Sequence, residues 1–288
     1  MSVTEFRTFL QSPFRYWLRH VLELETGTPI GRELDARFFG IVLHDAVEAF
    51  GRNELARLAA RQSPLFDADA IHDEMLIGLR DSLATRSLGS PGAGLRLQAR
   101  ILERRLRRIA EVQAARTLDG WRIHAVEWKI DQTLEMPDGP SQRITGRIDR
   151  IDRHDEHGWM LLDFKTSDSN KSPDAAHRKG DGTWIDLQLP LYRWAASFEA
   201  DAPEIDRISS GYFIAGSSPG RIGIKASKKI DPLFDEAIDT AREVVHAIRS
   251  GYFGDLGDQL SHGPHADDPV ALLMRTTALA TDDGGDDE

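Results

Sequence analysis

Over residues 122–167 the apolar pattern of this chain changes period, and that change limits what the chain can fold into more than any other feature. The segments RIHAVEWKIDQTLEM, SQRITGRIDRIDRH and GWMLLDFKTS alternate and are rich in β-branched residues, and the turn formers PDGP and DEHG separate them. They read as three consecutive strands in an antiparallel meander. On both sides the period is helical. Upstream, Phe6 and Leu10, then Phe14, Trp17, Leu18 and Leu22, mark two short helices divided by Pro13. A longer helix starts near Phe39 with Leu43, Val47 and Phe50 on its apolar face, and helical patterns return over 67–116, broken by SLGSPGAG. Downstream, WIDLQLPLYRWAASF reads as a helix that tolerates Pro190 in its first turn. ISSGYFIAG and RIGIKAS read as two further strands, and DPLFDEAIDTAREVVHAIRSGYF as an amphipathic helix with an aspartate cap. The expectation is one α/β domain over residues 1–254, mainly helical over 1–120 and with a central mixed β-sheet flanked by helices over 121–254.

Residues 255–288 hold nine acids against the single Arg275, end in TDDGGDDE, and are expected to form a flexible acidic tail. They carry −8 of the net charge of −11, so the domain itself has only −3 and is not barred from a polyanionic partner. Residues 94–116 go the other way, with seven arginines and two glutamates. The absence of cysteine excludes disulfides, thiolate zinc sites and iron–sulfur clusters, so any metal must be held by oxygen or imidazole. There is no run of about eighteen apolar residues, and the N-terminus carries acids and aromatics where a signal peptide would be basic and then apolar. A cytoplasmic protein with no membrane association is expected. No GxxxxGK[ST] sequence is present, which removes a phosphate-binding loop of the helicase kind.

Asp163 and Lys165 lie two apart on the third strand and therefore on one face, with Phe164 turned the other way into the core. Alone they form either a surface salt bridge or a catalytic pair. Asp149, on the preceding strand, can come within about 5 Å of Asp163. Two carboxylates and a backbone carbonyl suit Mg²⁺ or Mn²⁺. His44 precedes Glu48 by one helical turn, and Gln188 and Tyr192 are likewise four apart on one face; either pair alone is structural as readily as functional. Arg100, Arg104 and Arg107 run beside a core stripe of Leu102, Leu106 and Ile109, as a solvated face or a phosphate-binding one. Lys171, Arg178 and Lys179 follow in the polar loop after the third strand, with Trp184 as an aromatic able to stack on an unpaired base.

Taken in order, GIVLH at 40–44, GRIDRID at 146–152, DFKT at 163–166 and QLPLY at 188–192 resemble the motifs of the PD-(D/E)XK nuclease superfamily, within it the RecB-like branch that includes AddB-type nuclease domains. The resemblance covers about residues 1–255. It implies a restriction-endonuclease-like core in which Asp149, Asp163 and the Phe164 carbonyl hold the metal, Lys165 is the catalytic lysine and His44 is a further ligand. Gln188 and Tyr192 would support the site and touch the nucleic-acid backbone. Glu48 and Glu127 would either hold a metal-bound water or lie farther out. The implied activity is a Mg²⁺- or Mn²⁺-dependent deoxyribonuclease, exonuclease-like, acting on single-stranded DNA or duplex ends in repair or recombination, with any helicase supplied in trans. The alternative is a catalytically silent nuclease-fold protein that binds DNA or a partner. Many such nucleases carry a four-cysteine iron–sulfur cluster. Here Ser12 stands before Pro13 where one of those cysteines belongs. The cluster is therefore absent, and packing of the N-terminal aromatics against the final helix is expected to hold the two ends together.

Overall fold

The computed structural model describes residues 1–24, 36–86, 93–166, 171–216 and 219–254. The acidic tail and residues 87–92 of SLGSPGAG lie outside them. The chain opens with α1 (Val3–Gln11) and α2 (Pro13–Tyr16), which runs into a π-helical turn at Trp17–Val21. Ser12 Oγ accepts from the Arg15 N–H at 3.2 Å just ahead of Pro13, so a capping side chain and a pre-set φ start α2. Three long helices follow: α3 (Ala36–Ala59), α4 (Ala68–Arg86) and α5 (Ala93–Leu118). The meander is then β1 (Arg122–Leu134), β2 (Gln142–His154) and β3 (Gly158–Lys165), antiparallel throughout.

Beyond β3 the chain passes through α6 (Pro173–His177) and α7 (Gln188–Ala196) to β4 (Ile208–Ile214), which pairs with β3 in parallel. A parallel pair needs such a crossover, because no tight turn can reverse the chain twice. β5 (Gly223–Ala226) adds an antiparallel edge and α8 (Phe234–Arg249) completes the fold. The sheet order is β1-β2-β3-β4-β5, a mixed five-stranded sheet between two helical layers.

Each face of the sheet has its own core. On one, Leu43, Val47 and Phe50 of α3 and Leu102, Leu106 and Ile109 of α5 pack with Met160, Leu162 and Phe213. On the other, Val3, Phe6 and Phe9 of α1 pack with Leu191 of α7, Ala237 and Val244 of α8, and Ile144, Ile148 and Leu161 of the sheet. The two ends of the domain therefore meet in one apolar cluster, and the Tyr16 ring stacks on Phe253 at 6.3 Å. Two motif glycines are close-approach positions. A Cβ on Gly40 would lie 2.9 Å from Thr166 Oγ1, and one on Gly146 would lie 2.9 Å from Val3 Cγ2. The first lets α3 lie against the end of β3, and the second lets α1 seat on β2.

The expected aspartate cap on the last helix is not formed. Asp231 opens a 3₁₀ turn, Asp231–Leu233, and its carboxylate accepts from Ser210 N–H at 3.0 Å and Oγ at 2.5 Å. Ser210 is fully buried on β4, so its donors need a partner more than the solvent-facing start of α8 does.

Candidate active site

The site forms where α3, β1, β2, β3 and α7 come together. Along β1 and β2 the strand period breaks at one step. Val126 pairs with Arg150 and Trp128 with Ile148, yet Val126 packs in the α3 and α5 core and Trp128 in the opposite one. Glu127, between them, has φ of +50°, a left-handed conformation that costs a glutamate on the order of 1 kcal/mol or more. Such strain persists only where neighbours enforce it. Here Arg147 Nη1 donates to Glu127 Oε2 at 2.6 Å, and His44 Nε2 lies 3.3 Å from Glu127 Oε1.

His44 is the hub of this half of the site. Its Nε2 is 3.7 Å from Asp149 Oδ1 and its Nδ1 is 3.9 Å from Glu48 Oε2. Donor atoms of His44, Glu127 and Asp149 all lie within 4.8 Å of one another. Burial alone would lower the His44 pKa, but Asp149, Glu127 and Glu48 together lift it above the usual histidine value. A second grouping of His44, Asp45 and Glu48 is less open, because Asp45 already accepts from Ser82 Oγ at 2.6 Å and Arg86 Nε at 2.7 Å.

The other half is on β3. Asp149 Oδ2 accepts the Phe164 N–H at 2.7 Å, tying β2 to β3 beside Asp163. Lys165 Nζ is 2.6 Å from Asp163 Oδ2 and 4.9 Å from the centre of the Tyr212 ring. Gln188 Nε2 donates to both Asp163 Oδ1 and Tyr192 Oη, each at 2.7 Å. Phe164 faces away, its ring stacked on Phe213 at 5.0 Å and edge-on to His44 at 5.6 Å. Asp163 is 4% exposed. Burial pushes its carboxyl up to about 6, Lys165 pulls it back, and Asp149 adds to the rise. Burial likewise raises the Tyr192 phenol, with the Asp163 charge adding to it, so Tyr192 stays neutral.

Three carboxylates, one on each of β1, β2 and β3, and the imidazole of α3 are a donor set for a hard divalent cation. The buried Asp163 Oδ2 accepts no hydrogen bond of good geometry among the described residues. Its close neighbour is the Lys165 ammonium at 2.6 Å, and Asp149 is near enough for its charge to raise the Asp163 pKa. The residues present fit such a cation.

The remaining expected residues divide. Arg100 and Arg104 are exposed on α5, whereas Arg107 is paired with Asp69 and lies 3.8 Å from Glu111. Lys171 and Lys179 are exposed. Arg178 donates to Gly182 O and Glu236 Oε1, both at 2.7 Å. Trp184 is not available to a base: it is 5% exposed, its Nε1 donates to Glu236 at 2.9 Å, and Arg178 lies over its ring at 5.5 Å. It is a core residue under α8. Sequence reasoning underrated Glu127, which touches His44, and overlooked Arg147 and Tyr212. An acid inside the apolar run AVEWKI was the one signal for Glu127.

Comparison with known sequences gives the family. A sequence model of the PD-(D/E)XK nuclease superfamily matches residues 1–259. The chain is 30% identical over 209 residues to a subunit of the ATP-dependent helicase/deoxyribonuclease of Moorella thermoacetica, covering 68% of this chain and 17% of that protein. It thus spans about a sixth of the relative's length. The crystal structure of SSO0001 aligns over 85% of each chain at 17% identity with a TM-score of 0.28. Among the described residues, no helix is long and apolar enough to cross a membrane.

Proposed function

This chain belongs to the PD-(D/E)XK nuclease superfamily, and from that premise we propose that it is a Mg²⁺- or Mn²⁺-dependent deoxyribonuclease acting on single strands or duplex ends. The observation that carries the reading is the convergence of Asp149 of mid-β2, Asp163 and Lys165 at the end of β3, and His44 of α3. Asp149, Asp163 and His44 would hold the cation, with Glu127 within reach of the same space. When bound, the cation supplies Lewis-acid polarisation of the phosphate and offsets the carboxylate charge.

The side chains do the rest. Gln188 fixes Asp163 through Oδ1, leaving Oδ2 for the cation and Lys165. The Lys165 ammonium would donate to a non-bridging phosphate oxygen, where negative charge grows as phosphorus becomes five-coordinate. Attack of water forms a new P–O bond and breaks the one to the leaving sugar oxygen; the water gives up one proton to solvent, and the leaving oxygen takes one up from solvent. Tyr192 accepts from the same Gln188 amide, and the Tyr212 ring lies 4.9 Å from Lys165 Nζ, so both tyrosines back the pair. The name of the Moorella relative joins a helicase to a deoxyribonuclease, which supports a helicase partner, while a role in repair or recombination is what the family resemblance implies. The test is a time course on 5′- and 3′-labelled linear DNA and circular single strands with Mg²⁺, Mn²⁺ or EDTA. Products only with the metals are expected, and label-dependent release would set end preference and polarity. No cutting under any condition would refute the activity.

A further inference from the structure

We infer that a recess beside Lys165 binds a second phosphate of the substrate strand, adjacent to the one being cut. This rests on the nuclease reading of the neighbouring site. The recess has a volume of about 300 Å³ and is bounded by Arg7 and Gln11 of α1, Lys165, Lys171, and Tyr212 and Ile214 of the sheet. Arg7 and Gln11 are four apart on α1, so both side chains leave the same face of the helix.

The charges point to an anion. Arg7, Lys165 and Lys171 are opposed within the lining by one carboxylate, Asp186. That carboxylate is committed elsewhere, since its Oδ1 accepts the Gln188 N–H at 2.9 Å at the start of α7. Its Oδ2 is 3.7 Å from Arg7 Nε, close enough to orient the guanidinium but too long for a tight pair. The Arg7 side chain is 55% exposed, which leaves its fork open to a ligand. A guanidinium in that state suits a phosphate, which it can grip with two parallel N–H donors.

The position identifies which phosphate. Lys165 belongs to both places, lying 2.6 Å from Asp163 Oδ2 and also lining the recess. A group in the recess is therefore one ammonium away from the reacting phosphate, the relation between successive phosphates of one strand. At about 300 Å³ the cavity is at the small end for ligand sites, which suits one nucleotide and not a duplex. Tyr212 and Ile214 give the sugar or base an apolar surface.

The phosphate is either a backbone diester or the monoester at a strand end, and substrate choice separates the two. Binding of a short fluorescent single strand is followed by anisotropy in EDTA, so that cutting plays no part. Arg7→Ala and Gln11→Glu should each weaken binding about tenfold or more, with Arg7→Lys restoring part of it. Inorganic phosphate should compete against the wild type and less against Arg7→Ala. Melting temperatures close to wild type confirm that the variants fold. Equal loss on linear strands with terminal phosphate, linear strands ending in hydroxyls and circular strands assigns the diester. Loss confined to phosphorylated ends assigns the monoester. Wild-type binding by both Arg7→Ala and Gln11→Glu overturns the inference. If binding depends on Arg7 but Mg²⁺ and Mn²⁺ support no cutting, the nuclease reading fails and the phosphate site stands.

Discussion

Replacing Asp163 by asparagine should make the cation-free protein more stable while destroying its activity. The carboxyl rises from 3.8 to about 6, chiefly through burial. About two pKa units correspond to about 3 kcal/mol of preference for the neutral form. Because the folded pKa is above the unfolded one, the folded state binds the extra proton between 3.8 and about 6, and stability is lost as pH rises through that window. Above it, the fold bears the full cost of an ionised, buried Asp163. Asparagine removes that cost but turns an amide toward the Lys165 ammonium, so a gain of about 1–3 kcal/mol is expected at pH 7.5. For a domain this size that is roughly 2–10 °C in melting temperature. Thermal unfolding in EDTA should show the gain at pH 7.5 and lose most of it near pH 5, where the wild type is itself protonated. Added Mn²⁺ should then stabilise the wild type and leave the variant unmoved, because a ligand of the folded state raises stability only where it binds. A variant no more stable than wild type at pH 7.5, or a gain independent of pH, would refute the burial argument.

Other perturbations probe separate parts of the account. Gln188→Leu removes the donor at 2.7 Å from both Asp163 and Tyr192, and kcat should fall about 10–100-fold in single-turnover cleavage with KM nearly unchanged. Charge reversal at the exposed Arg104 should weaken DNA binding and reduce the slope of affinity against salt by about one or two, whereas Arg107, already paired with Asp69, should do less. An unchanged slope for Arg104→Glu would remove α5 from the DNA surface. His177 is fully buried, its Nε2 accepting the Leu189 N–H at 3.3 Å, and burial lowers its pKa below 6.5. Its contribution is present above 6.5 and lost as pH falls toward the folded value, so His177→Leu should be less stable at pH 7.5 yet show a shallower acid slope in denaturant melts.

The strands, the helices and the order of the site motifs were legible because each rests on local patterns. Turn residues bounded the meander, and Asp163 and Lys165 faced one way because strand geometry allows nothing else. What was hidden depends on residues far apart in the chain. Trp184 sits in a polar stretch that reads as exposed, and only α8, arriving with Glu236, buries it. Asp231 looks like a cap until Ser210 of β4 claims its carboxylate. Arg107 reads as part of a solvated or phosphate-binding face until Asp69 of α4 meets it. Glu127 had no local signal for a left-handed backbone, since its neighbours are ordinary strand formers and the strain is held by Arg147 and His44.

The central claim is that Asp163 helps hold a cation while Lys165 acts beside it on the phosphate. Mn²⁺ affinity and single-turnover cleavage, measured together on Asp163→Ala and Lys165→Ala, test it most directly. The account predicts that Asp163→Ala loses both, and that Lys165→Ala still binds Mn²⁺ but no longer cuts. Full cleavage by either variant would contradict it.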